Sequence, residues 1–129
     1  MSLPTFQIPP VGPVMGKCWG RTMLGFAWNS VEAHPIKAYP GFRCSRHCHL
    51  SKWNRFIVLQ GKLVVRIFRD NEVDETEIGP WQVTDVPPGV EHEFQALEPT
   101  LAIEFYWVEL DVHDINREVE GGPIDVDVD

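Results

Sequence analysis

Two stretches decide the fold: residues 41–61, Gly-Phe-Arg-Cys-Ser-Arg-His-Cys-His-Leu-Ser-Lys-Trp-Asn-Arg-Phe-Ile-Val-Leu-Gln-Gly, and residues 81–96, Trp-Gln-Val-Thr-Asp-Val-Pro-Pro-Gly-Val-Glu-His-Glu-Phe-Gln-Ala. In the first, His47 and His49 are two positions apart, so on an extended segment they share one face. In the second, His92 ends the turn that begins at Pro87-Pro88-Gly89. A histidine delivered by a distant turn can complete one side of a metal site. Imidazole nitrogens suit Zn, Fe, Ni, Cu or Mn better than Ca or Mg. The predicted cofactor is therefore one divalent transition metal, Zn, Ni, Mn or Fe.

Working outward, the segment Phe42–His49 alternates two sets of side chains, Phe42/Cys44/Arg46/Cys48 and Arg43/Ser45/His47/His49. Arg43 shares the histidines' parity, which makes it the candidate substrate-binding residue, suited to a carboxylate or phosphate. Further strands are predicted at 22–28, 31–39, 55–60, 62–69, 81–86, 93–97 and 101–110. Pro35 marks its strand as an edge or a bulge, and Asp70–Glu72 reads as a polar turn. No stretch before residue 111 has a sustained helical apolar period. Residues 1–20, which contain Pro4, Pro9, Pro10 and Pro13, read as an arm. Residues 21–111 read as an all-β sandwich or barrel, and 112–129 as an acidic tail with at most a short helix over 112–119.

The formal charge of −8 is concentrated at the end of the chain. Residues 109–129 hold eight acids and one base, a balance of −7, which leaves −1 for residues 1–108. Phosphate binding needs a basic footprint, so a nucleic-acid partner is not expected, and the acidic end reads as a solvated tail. No run approaches the ~18 apolar residues of a membrane span, and no signal peptide is apparent. The expected compartment is the cytoplasm. Cys44 and Cys48, on one strand, would be roughly 13 Å apart, beyond the reach of about 7 Å for a disulfide. The three cysteines are expected as free thiols.

With these residues in view, the chain resembles the cupin superfamily. Gly41, His47, His49 and Gly61 stand at the spacing of the first cupin motif, with Asn54 at the position of its usual glutamate. Pro87, Gly89 and His92 match the centre of the second motif, while Trp81 and Ala96 replace its terminal glycine and asparagine. The resemblance implies a cupin jelly roll (a double-stranded β-helix barrel), a metal held by His47, His49 and His92, and a homodimer. Lys17-Cys18-Trp19-Gly20 and Asp114-Ile115-Asn116-Arg117 are similar to the flanks of the sugar-phosphate isomerase cupins. An amide at the glutamate position is also found in the small cupins that open unsaturated uronates. Asn54 is then either a weak fourth ligand or a strand-holding hydrogen-bond partner.

Leu101–Leu110 has one wholly apolar face, Leu101, Ile103, Phe105 and Trp107, and one carrying Ala102, Glu104, Tyr106 and Val108. The simpler expectation puts Glu104 and Tyr106 toward solvent or a second copy. If their face looks into the barrel instead, burial raises the Glu104 pKa and makes it a candidate general base, with Tyr106 as donor. His34 is expected to be structural.

The predicted function is an isomerase-like, metal-binding cupin that acts on a small sugar, sugar phosphate or sugar acid by Lewis-acid polarisation of a carbonyl. The alternatives are a three-histidine non-haem iron dioxygenase and a non-enzymatic cupin that binds a small ligand.

Overall fold

The computed structural model describes residues 15–109 and 115–124. Ten strands follow in chain order: β1 (Met15–Lys17), β2 (Gly20–Thr22), β3 (Phe26–Trp28), β4 (Val31–Ala38), β5 (Trp53–Gln60), β6 (Leu63–Arg69), β7 (Glu72–Ile78), β8 (Val83–Val86), β9 (Glu91–Ala96) and β10 (Thr100–Trp107). One sheet has the order β1-β2-β4-β10-β5-β8, with β3 also beside β4; the other is β7-β6-β9. All the pairings are antiparallel. The first sheet thus begins at Met15, inside the stretch expected to be an arm.

The core forms where inward residues of the two sheets meet. Ile36, Phe56, Val58 and Ala102 come from one sheet, and Leu63, Val65, Phe94 and Ala96 from the other. Period-two alternation drives this packing: on β5, Asn54, Phe56 and Val58 point inward and are fully buried. The result is the all-β jelly roll that the two histidine-bearing stretches predict.

Several elements differ from the sequence reading, each for a physical reason. Strand β7 carries Glu72, Asp74, Glu75 and Glu77 and buries only Ile78, so it offers no apolar alternation to detect. It is an edge strand, where charges oppose pairing with another chain. The turn before it is as expected: Asp70 and Asn71 both have positive φ, 47° and 66°, as a tight two-residue hairpin requires. Pro35 lies in the middle of β4 rather than at an edge. β2 pairs with residues 36–38 of β4 and β3 with residues 31–33, which leaves a gap at 34–35. Gly25 N donates to Ala33 O across that side. By alternation the Pro35 nitrogen faces the same side, at the gap, where its missing N–H costs nothing.

The predicted strand 42–49 is irregular and makes only two bridges to β9, Arg43 to Gln95 and His47 to His92. Four steps on one side match three on the other, so one residue is extra. Such a bulge reverses the side-chain parity. Cys44 is therefore buried at one end, while His47 and His49 turn inward at the other.

Among the described residues there is no helix. Residues 115–119 are irregular or bent, and 112–114 lie outside the described residues. Ile115 and Val119 are exposed, so no buried stripe stabilises a helix too short to stand alone.

Candidate metal centre and cavity

Backbone pairing brings the three histidines together. His47 N donates to His92 O at 3.1 Å and His92 N donates back to His47 O at 2.8 Å. Gly89 N donates to His49 O at 2.7 Å, which ties the Pro-Pro-Gly turn to the same segment. One ring nitrogen of each histidine lies within 4.8 Å of the others.

The hydrogen bonds around the rings aim their free nitrogens. His47 Nδ1 lies 2.7 Å from Ser45 O, and His92 Nδ1 lies 3.0 Å from Val90 O. A carbonyl can only accept, so in each ring Nδ1 carries the proton and Nε2 presents a lone pair. A second partner on the other nitrogen is the usual support of a metal-binding histidine. His49 Nε2 is buried with no hydrogen-bond partner, a costly state for a polar atom. His92 Nε2 faces Asn54 Oδ1 at 3.2 Å, and Asn54 Nδ2 donates to Phe105 O at 3.4 Å, which fixes the amide with its oxygen toward the ring. Two acceptors at that distance repel unless a proton or a cation lies between them.

Burial disfavours the charged form of His49 and His92. The His92 pKa is lowered by desolvation. That of His49 falls to about 4, from desolvation first and then from the charges of His47 and His92. Three imidazoles whose ring nitrogens converge fit a divalent transition metal, and the Asn54 oxygen suits a weaker fourth position.

The second feature is a cavity of about 440 Å³ beside this cluster, and His47 is part of its wall. Glu104 and Tyr106 also line it, against the expectation that they face solvent or a partner. In β10 the buried positions are Thr100, Ala102 and Glu104, so the polar face points in and the apolar face points out. Glu104 is only 8% exposed. Desolvation raises its pKa from 4.5 to about 7, against the opposing effect of its hydrogen bond from Tyr106. That bond, Tyr106 Oη to Glu104 Oε2, is 2.5 Å long. Burial, with the Glu104 charge beside it, pushes the tyrosine pKa well above 10. The Tyr106 ring lies 4.9 Å from the His49 ring, which links the two walls.

Arg43 does not join this group. Its guanidinium reaches Glu93 Oε2 at 3.4 Å and Cys44 O at 3.5 Å, because the bulge turns it off the histidines' face. His34, expected to be structural, lines the cavity; it lies opposite Glu104 in the β4–β10 register and edge-on to Tyr106 at 5.2 Å. Glu32 holds its Nε2 at 3.1 Å. No local motif flags His34, since its position depends on which strand pairs with β10. The three cysteines are free, as expected.

Comparison with known proteins gives the same architecture. No protein-family model matches the chain, and no curated protein matches it in sequence. Among solved structures it is similar to KdgF from Halomonas sp., with a TM-score of 0.64 and 19% identity over 76% of this chain and 89% of that one. It is similar to Bacillus subtilis oxalate decarboxylase, with a TM-score of 0.68 and 15% identity over 76% of this chain. It is also similar to CapF, with a TM-score of 0.66 and 23% identity over 82% of this chain. The chain spans 28% of the oxalate decarboxylase and 33% of CapF. The fold is that of the cupins.

Proposed function

We propose that this protein is a metal-dependent, isomerase-like enzyme that acts on a small sugar, sugar phosphate or sugar acid. The observation that carries the reading is the meeting of two groups at one cavity. The histidine cluster reaches one wall through His47, and a buried carboxyl with a pKa of about 7 forms part of another. Support also comes from the sequence resemblance to isomerase and uronate-opening cupins, and from the Mn(II) centres named for the oxalate decarboxylase.

His47, His49 and His92 would hold the ion, with Asn54 Oδ1 beside them. A bound divalent metal supplies Lewis-acid polarisation of a carbonyl or hydroxyl oxygen. Glu104 removes the proton from the hydroxyl-bearing carbon next to that carbonyl and returns it to the former carbonyl carbon, while the hydroxyl proton passes from its oxygen to the former carbonyl oxygen. A carboxyl with a pKa near neutrality is suited to both halves of that transfer. Tyr106 donates its O–H to Glu104 Oε2 and so holds the carboxyl group in place through the two steps. The core beneath, Phe56 and Phe94, keeps water from the inner side of the carboxyl.

The test is proton exchange. Metal-loaded protein is incubated in deuterium oxide with a panel of aldoses, aldose phosphates and uronates, and the C2 proton is followed by NMR. Exchange by the wild type and none by Glu104→Gln is expected. No exchange across the panel contradicts the proposal, and oxygen uptake with thiols by the Fe(II)-loaded protein would favour a dioxygenase instead.

We also infer that a second copy covers the outer face of the larger sheet. The register of β3, β4, β10 and β5 aligns Phe26, Trp28, Val31, Phe105 and Trp107 on that face. Trp28 is 70% and Phe26 51% exposed. An apolar patch of this kind on a soluble domain marks an interaction surface, and the cupin resemblance supplies the partner.

A further inference from the structure

The hairpin β1–β2 forms part of the cavity wall, and its residues explain the motif Lys17-Cys18-Trp19-Gly20. Trp19 is buried and packs edge-on against Phe94 at 4.8 Å. Its carbonyl accepts from Tyr39 N at 2.9 Å. Gly20 lies so close to β4 that a Cβ there would come within 1.8 Å of Lys37 O. The tryptophan anchors the turn in the core, and the glycine lets it press against the sheet. The hairpin is therefore held in place, and with it the residue that precedes the turn.

That residue is Lys17, the one lysine or arginine among the residues that line the cavity. Lys52 pairs with Glu32, Lys62 with Glu77, and Arg43, Arg46, Arg55 and Arg66 each have a carboxylate partner. Lys17 has no ion pair or hydrogen bond among the described residues. A lysine whose backbone an anchored hairpin sets at a cavity wall, with its donors unused, can meet an anion there. Glu104 lines the same cavity, and a carboxyl there offers an anion no attraction, which leaves the Lys17 side for it.

We propose that Lys17 anchors an anionic group, so that the site takes a small ligand bearing a carboxylate or a phosphate. The anion lies at Lys17, and a hydroxyl or carbonyl end points toward His47. This assignment rests on the cavity being the substrate site proposed above, and it replaces Arg43 with Lys17 as the anion-binding residue.

The experiment is calorimetric titration of the metal-loaded wild type, Lys17→Met and Lys17→Arg with galacturonate, galactose 6-phosphate and neutral galactose. At least one of the two anions is expected to bind the wild type at least ~10-fold more tightly than galactose, as charge-assisted hydrogen bonds imply. Which anion binds distinguishes carboxylate from phosphate. Lys17→Met should lose that advantage with unchanged metal content and melting temperature, and Lys17→Arg should keep most of it. Equal binding of neutral and anionic probes, no binding of any of them, or anion binding by Lys17→Met at the wild-type level would overturn the proposal. Deuterium exchange separates it from the isomerase reading. Anion binding through Lys17 without exchange sinks the isomerase and leaves the anion site. Exchange on neutral aldoses that is unchanged in Lys17→Met does the reverse.

Discussion

Strand β10 has two faces that invert the usual reading of a strand. Its inner face carries Glu104 and Tyr106 toward the cavity, while its outer face carries Ile103, Phe105 and Trp107 toward the surface. In a closed sandwich the apolar face would be the core. Here the same strand is core at Ala102 and cavity wall at Glu104 and Tyr106. A strand that lines a cavity can carry polar residues at its inward positions, which leaves its apolar positions on the outer face.

The inner face can be tested through stability. The Glu104 pKa is raised from 4.5 to about 7, so the fold favours the neutral acid. That contribution is complete below about pH 4.5 and is lost as the pH rises through 7. The shift corresponds to roughly 3 kcal/mol, with little solvent discount for a group only 8% exposed. Metal-free Glu104→Gln should therefore be more stable than the wild type at pH 8 by about that amount, and similar to it near pH 4.5. Urea unfolding across this range checks it; parallel pH profiles for the two proteins would place Glu104 in solvent. Phe105→Gln, on the other face, should leave the pH profile of the wild type unchanged.

The outer face can be tested by association. Trp107 stacks on Trp53 at 6.1 Å, with Arg55 over its ring at 5.5 Å. If a second copy covers this face, Trp107→Glu puts a charge into a desolvated interface and should cost about 2 kcal/mol or more of association. Analytical ultracentrifugation should find a dimer for the wild type and mainly monomer for the variant, both with the same circular dichroism. A monomeric wild type removes the partner from the comparison.

A smaller effect is expected where the second motif departs from its pattern. Trp81 stands in place of the usual glycine with φ of 65°, and its side chain is 75% exposed. A left-handed conformation costs a non-glycine residue roughly 1–2 kcal/mol, partly offset by the greater unfolded-state freedom of glycine. Trp81→Gly should raise stability by about 0.5–1 kcal/mol, seen as a few degrees in melting temperature. A lower melting temperature would mean that the indole makes contacts worth more than the strain.

The histidine trio was legible because spacing puts His47 and His49 on one face and the cupin resemblance adds His92 from the second motif. The all-β class was legible because strands and turns alternate at short intervals, and the jelly roll through the cupin resemblance. Strand β7 was not, because an exposed acidic edge has no apolar period. The positions of Arg43, His34 and Lys17 relative to the cavity were not legible either. Arg43 is displaced by one extra residue in a bulge, His34 is placed by a non-local register, and Lys17 by a hairpin whose tryptophan anchor looks like any core residue. The direction of Glu104 was left open by its pattern, because alternation separates two faces without saying which one is inside.

His47, His49 and His92 are proposed to hold one divalent transition metal. Elemental analysis of untagged wild type beside a His47→Ala/His92→Ala variant tests it most directly. The account predicts close to one equivalent of metal in the wild type and none in the variant, at equal fold content. A wild type that retains no metal after incubation with Zn, Ni, Mn and Fe(II) in turn would contradict it.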